Sequence, residues 1–204
     1  MTVQSDSILK LAECQLFLAA VDVRARGWSP QLLINLHQAG RLRRVARGLY
    51  RLPDGLVGAG QTEHQTLCEI CRAVPRAVIC LLSALEYHQV SQPAERHTWT
   101  ALPEGSKAPK VPTQPLKIKR LRGAAYSEGI ETTMKHGAAL RVYSLPKTLT
   151  DGFKFRHQIG LETAVQALNA SCLQGRLNMN ELLHFAEINR VAKVMRPYLV
   201  SLGA

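Results

Sequence analysis

A chain of 204 residues with 46% hydrophobic and 20% charged residues carries enough apolar material for a packed core, which excludes an intrinsically disordered protein. Lys and Arg outnumber Asp and Glu by 26 to 15, and the resulting formal charge of +11 favours polyanionic partners such as nucleic acid or anionic lipid. No apolar run reaches the roughly 18 residues of a membrane span. Met1-Thr2-Val3-Gln4-Ser5-Asp6 has neither the basic start nor the apolar stretch of a secretory signal, so no membrane partner and a cytoplasmic location are expected.

In chain order, Ser5-Asp6-Ser7 offers helix caps, and Ile8, Leu9, Leu11, Ala12, Leu16 and Phe17 follow at mostly helical spacing. A second short helix fits 20–26, ended by Gly27 at the position where a glycine closes a helix. Ser29 is the natural cap of a third helix, with Pro30 at its first position, where the missing N–H costs nothing. Leu32, Leu33 and Leu36 mark the buried face of that helix, Gln31, Asn35 and Gln38 the opposite one, and Gly40 ends it. Helix, helix, glycine turn and capped helix is the spacing of a helix-turn-helix. Residues 42–45 and 49–52 then read as a hairpin turned at Gly48, and a hairpin straight after a recognition helix is a wing. Residues 55–60 read as a linker.

A helix fits 62–74, stopped by Pro75, followed by a buried strand over 77–81 and a helix over 82–88. Strands are expected over 98–102 and 116–121, separated by a proline-rich surface loop, and over 131–135 and 140–143, paired through His136-Gly137. This block is expected to be a small mixed sheet flanked by helices. From 145 onward the pattern is helical. Pro146 opens one helix and a second covers 162–172. Asn178 with Glu181 resembles a capping box for a third, and Val191 to Leu202 forms the last, kinked or restarted at Pro197. The fold class is therefore α+β: a winged helix-turn-helix at 1–56, then a mixed α/β domain at 61–204 with sheet and helices over 61–144 and a helical segment over 145–204.

The densest candidate site is the wing. Arg41, Arg43, Arg44, Arg47 and Arg51 fall close together with no acidic residue among them, and the guanidinium fork suits phosphate oxygens and guanine edges. Arg43, Arg44, Arg47 and Arg51 are expected on phosphates or in the minor groove, Gln31, Asn35 and Gln38 on base edges, and Ser29 as a phosphate donor. A solvated arginine-rich hairpin is the bland alternative. Cys68-Glu69-Ile70-Cys71 lacks the second cysteine pair of a structural zinc site and lies in a helical pattern, which makes buried thiols the expectation and no metal. The odd set Cys14, Cys68, Cys71, Cys80 and Cys172 has no disulfide-framework spacing. The seven histidines form no His-x-x-x-His, and no catalytic constellation is present. Lys117, Lys119, Arg120 and Arg122 make a second basic cluster, read as a solvated strand face. Lys147 reaches Asp151 at i,i+4.

Three stretches together resemble one family. Ala39-Gly40-Arg41-Leu42 leading into Arg47-Gly48-Leu49-Tyr50 is similar to the winged helix of the AbiEi antitoxins, which belong to bacterial AbiE-type (type IV) toxin–antitoxin systems. Cys80-Leu81-Leu82-Ser83-Ala84-Leu85 with His88 resembles the start of their second domain. Pro146-Lys147-Thr148-Leu149, Asp151, residues 164–168 and Arg196-Pro197-Tyr198-Leu199 resemble their C-terminal part. The resemblance implies a repressor that binds inverted repeats in its own promoter on double-stranded DNA. It also implies an antitoxin that neutralises a nucleotidyltransferase-like toxin without a stable complex. On that basis Arg43, Arg44 and Arg47 are carried over as DNA contacts, and Lys147 and Asp151 are assigned to an antitoxin surface. The implied protein binds rather than catalyses and needs no cofactor. Two rivals stand beside it: a transcription factor with a ligand-sensing or dimerisation domain and no toxin partner, and a DNA-targeted nuclease or nucleotide-modifying enzyme.

Overall fold

A computed structural model of the chain describes residues 3–15, 17–53, 64–91, 97–107, 109, 115–135 and 138–202. The linker expected over 55–60, the turn at His136-Gly137 and most of the proline-rich loop lie outside the described residues. The chain divides into two compact units, one built on 1–75 with 109–114 and 133–140, the other on 76–108, 115–132 and 141–204. The first unit thus reaches past the boundary expected near residue 60.

The first unit runs α1 (Val3–Cys14), β1 (Leu18–Ala19), α2 (Ala20–Ala25), α3 (Gln31–Gln38), β2 (Arg43–Ala46), β3 (Leu49–Arg51) and α4 (Gln65–Ala73). Ile8, Leu9 and Ala12 of α1, Val23 of α2, Leu33 and Leu36 of α3, and Leu42, Tyr50 and Leu52 around the hairpin bury one another. The helix ends follow from the glycines. After α2, the N–H groups of Gly27 and Trp28 reach back to the carbonyls of Arg24 and Val23; after α3, those of Gly40 and Arg41 reach His37 and Leu36. Both turns place the glycine in the left-handed region, at φ 75° and 69°, where a side chain is penalised.

Ser29 caps α3 as expected. Pro30 already has helical dihedrals, and the Ser29 hydroxyl oxygen accepts from the Gln31 N–H at 3.3 Å. The wing is antiparallel, with Arg43 opposite Arg51 and Arg44 opposite Tyr50, and its register slips between Arg44 and Ala46. That bulge is the physical source of the imperfect alternation: Arg43 and Arg44 are both exposed, and Val45 beside them is fully buried. A strand the sequence gives no period for, β1, pairs with β3 through Leu18 and Tyr50 and completes a sheet of order β1-β3-β2.

The second chain segment carries β4 (Val78–Ile79), α5 (Leu81–Tyr87), β5 (Thr98–Pro103), β6 (Leu116–Leu121), α6 (Ala124–Ser127), β7 (Ile130–Lys135) and β8 (Ala138–Tyr143). The helices α7 (Leu145–Lys154), α8 (Arg156–Ile159), α9 (Leu161–Leu173), α10 (Met179–Ile188) and α11 (Ala192–Ser201) complete it. The sheet order is β6-β5-β4-β8-β7, with β4 antiparallel to β5 and parallel to β8, and β5 parallel to β6. This is the mixed sheet expected from sequence. Every residue of α7 from Leu145 to Phe153 is buried. Its apolar side packs with Leu85, Ala164, Leu168, Leu182, Ala186, Met195 and Leu199 from α5, α9, α10 and α11. The Asn178 side chain caps α10 by accepting from the Glu181 N–H at 3.2 Å, and α11 continues through Pro197 rather than restarting there.

Candidate nucleic-acid interface

In the first unit, α3 turns Leu33 and Leu36 into the core and leaves Gln31, Ile34, Asn35 and Gln38 exposed on the other side. The Gln31 amide donates to the Asn35 side-chain oxygen at 3.2 Å, one turn along the helix. The end of α3 is tied to the wing by His37, whose Nδ1 lies 3.0 Å from the Leu42 carbonyl oxygen and whose ring stands edge-on to Tyr50 at 6.0 Å. Ser29, Arg43, Arg44 and Arg47 are exposed as well. The expected amide face and three of the expected arginines are therefore all solvent-facing. The Arg44 guanidinium holds the Ala46 carbonyl at 3.3 Å across the bulge.

Arg51 does not join them. Its side chain is 5% exposed, its Nε lies 2.7 Å from a Glu69 carboxylate oxygen that is equally buried, and its Nη1 donates to the Leu52 carbonyl at 3.0 Å. All three residues of the central strand β3 are buried, Arg51 among them, and α4 supplies the acid that makes its burial tolerable. Arg51 is thus a structural residue, and the expectation that it meets DNA is corrected. A second ion pair, Arg72 with Asp22 at 3.1 Å, joins α4 to α2, and the same Asp22 oxygen accepts from the Ala19 N–H. Nothing in the local pattern around Arg51 announces Glu69, because the partner comes from outside the hairpin.

The other expected surface also fails. Lys147 and Asp151 do meet, but their side chains are 0% and 2% exposed. The Lys147 ammonium donates to both Asp151 oxygens at 2.5 and 2.6 Å and sits 4.5 Å over the Tyr143 ring. Asn189, the residue that ends α10, donates to Asp151 at 2.7 Å and to the Thr150 hydroxyl at 2.9 Å, and accepts from Lys154 at 3.1 Å. Burial pushes the Asp151 carboxyl upward from its ordinary range while Lys147 pulls it down. These residues hold the central helix to α10. They form no antitoxin surface, since a helix buried on all sides must satisfy its polar groups internally. The signal that finds the pair is the i,i+4 spacing; Asn189, far along the chain, leaves none.

Among the remaining candidates, Cys68 and Cys71 are both buried, and among the described residues no group of three His, Cys, Asp or Glu is arranged to hold a metal. Lys117 and Lys119 lie along β6 with their ammonium groups 4.8 and 5.0 Å over the Trp99 ring, and Lys119 also stands 5.1 Å from the Phe155 ring. They cover an aromatic surface rather than standing out in solvent, which explains why burial lowers the Lys119 pKa.

The helix-turn-helix of α2 and α3, followed by the β2-β3 hairpin that pairs with β1 in a three-stranded sheet, defines a winged helix-turn-helix. Residues 7–53 match the family model described as transcriptional regulator, AbiEi antitoxin. The fold is similar to that in the crystal structure of the RV2827C protein from Mycobacterium tuberculosis. The TM-score is 0.62 at 12% identity, covering 92% of this chain and 72% of that one, a likeness of fold. No curated protein matches the chain. Among the described residues no helix is long and apolar enough to cross a membrane.

Proposed function

We propose that this protein is an autorepressor that binds inverted repeats in its own promoter, and an antitoxin against a nucleotidyltransferase-like toxin. The observation that carries the DNA-binding part is the joint exposure of the amides on α3 and of Arg43, Arg44 and Arg47 on the wing. In this reading α3 lies in the major groove with Gln31, Asn35 and Gln38 toward base edges, and Ser29 and the wing arginines hold phosphates. The antitoxin part is supported by the match of residues 7–53 to the AbiEi antitoxin regulator model and by the motifs of the C-terminal part. It works without a stable complex, by binding rather than catalysis, with no cofactor and in the cytoplasm.

The test is the salt dependence of binding to the DNA upstream of the protein's own gene, beside a scrambled duplex of equal length. Wild type is expected to prefer the upstream DNA by ~10³-fold or more. A variant carrying Arg43→Ala, Arg44→Ala and Arg47→Ala is expected to bind more weakly, with a log–log salt slope flatter by about 2 to 3 units, roughly 0.9 for each lost phosphate contact. Equal, weak binding to both duplexes and an unchanged variant would sink the reading. The antitoxin part is tested by co-expression with a neighbouring nucleotidyltransferase-like gene, where growth is restored if the reading is right.

A further inference from the structure

The exposed stripe of α3 is not wholly polar. Gln31, Ile34, Asn35 and Gln38 stand at i, i+3, i+4 and i+7, which places them along one side of the helix. Ile34 is 39% exposed in the midst of three amides, while Leu33 and Leu36 already supply the helix's buried face. A branched hydrocarbon in that position adds little to the core and is costly to hydrate. Of the groups that base pairs display in the major groove, the apolar one is the 5-methyl of thymine. The Gln31–Asn35 hydrogen bond of 3.2 Å adds a second constraint beside it. It uses one lone pair of the Asn35 oxygen, leaving the other and the Asn35 amide N–H groups for the N6 and N7 edge of adenine.

We propose that Ile34 is a specificity-determining residue that packs on the methyl of a thymine adjacent to the adenine read by Asn35, with Gln31 orienting Asn35 for that pairing. The recognised half-site then contains neighbouring A·T pairs, and discrimination at one of them is apolar. The inference rests on the DNA-binding reading above and deepens it.

The experiment uses the upstream duplex prepared in two forms, with thymine throughout or with uracil in its place, so that only the methyls differ. Wild type, Ile34→Ala and Ile34→Val are titrated against both. Because Ile34 lies outside the core cluster, the variants are expected to fold as wild type does. Wild type is expected to lose about fourfold in affinity on uracil DNA for each contacted methyl, the effect of exposing one methylene-sized group. Ile34→Ala is expected to bind the two forms equally, and Ile34→Val to retain part of the difference. A wild type indifferent to the methyls overturns the inference, and so does an Ile34→Ala variant that loses the same factor as wild type. Either result leaves the DNA-binding reading in place if wild type still prefers the upstream thymine duplex over a scrambled one. Absence of that preference overturns both.

Discussion

Arg51 of the wing and Glu69 of α4 form a buried ion pair, Nε to carboxylate oxygen 2.7 Å, with each side chain 5% exposed. The neighbouring arginines of the same hairpin, Arg43, Arg44 and Arg47, are exposed. One cluster in the sequence is therefore two physical populations, and they respond to mutation in opposite ways.

Arg51→Ala strands the Glu69 carboxylate in a buried site and is expected to cost about 3–5 kcal/mol of stability. Arg51→Met with Glu69→Leu removes both charges and is expected to recover most of that loss, since the pair's attraction roughly offsets its own desolvation. Arg43→Ala, Arg44→Ala and Arg47→Ala are each expected to stay within about 0.5 kcal/mol of wild type while weakening DNA binding. Urea denaturation alongside DNA titration separates the two classes. An Arg51→Ala protein as stable as wild type would contradict the ion-pair assignment.

The pair Lys147 and Asp151 makes a parallel case in the second unit. Asp151→Ala leaves a fully buried ammonium over the Tyr143 ring without its carboxylate, and leaves Asn189 without one of its acceptors. A loss of about 3–5 kcal/mol is expected, with Asn189→Ala costing less, on the order of 1–3 kcal/mol for an unpaired buried polar group. Antitoxin activity of these variants is expected to follow the fraction folded, measured by thermal denaturation and by growth rescue at several temperatures. Rescue lost by an Asp151→Ala protein of unchanged stability would return the residue to a direct functional role.

What was legible in the sequence was local. The glycines after α2 and α3, the Ser29-Pro30 start, the Asn178 cap and the apolar face of α3 are written in residues at most a turn or two apart, and each stands where the pattern puts it. Long-range partnership was not legible. Nothing around Arg51 distinguishes it from Arg47 until β3 pairs on both sides and α4 brings Glu69 to it. Lys147 and Asp151 look like a surface i,i+4 pair until α7 proves to be the helix around which α5, α9, α10 and α11 pack. The two-residue strand β1 is too short to carry a period of two, and only its pairing with Leu49 and Tyr50 defines it. The exposure of the amide face and of Arg43, Arg44 and Arg47 was readable, and the burial that sets Arg51 apart from them was not.

Burial also sets the cysteine chemistry. The Cys68 thiol is pushed up to about 11, chiefly by burial with Cys71 adding to it. Burial pushes Cys80 up as well, with the nearby Asp151 charge reinforcing the effect. Both stay protonated at neutral pH, and thiols rather than thiolates make poor nucleophiles and metal ligands. Native protein treated with an aromatic disulfide reagent at pH 8 is expected to label the exposed Cys14 quickly and the half-buried Cys172 more slowly. Cys68, Cys71 and Cys80 are expected to react only once the chain unfolds. Rapid labelling of Cys68 or Cys71 in folded protein would reopen a redox or metal role for that pair.

His88 gives the second unit a dependence on pH whose sign can be worked out. Its side chain is buried, with Nε2 2.7 Å from the Tyr143 carbonyl oxygen, and its own carbonyl accepts from Arg176 at 2.5 Å. Burial holds the imidazole below its ordinary 6.5, more strongly than the Tyr143 hydrogen bond and Glu131 raise it, and Arg176 adds to the lowering. The folded chain therefore takes up this proton at a lower pH than the unfolded chain does. Above 6.5 both states hold a neutral ring and the contribution to stability is complete. As the pH falls from 6.5 toward the folded value, the unfolded state binds a proton that the folded state does not, and stability is lost. The loss is about 1.4 kcal/mol for each unit by which the two pKa values differ. Melting temperature measured from pH 7.5 to 5.5 is expected to fall for wild type. His88→Gln is expected to start less stable and to show a shallower fall over the same interval, and parallel curves would mean that His88 titrates alike in both states.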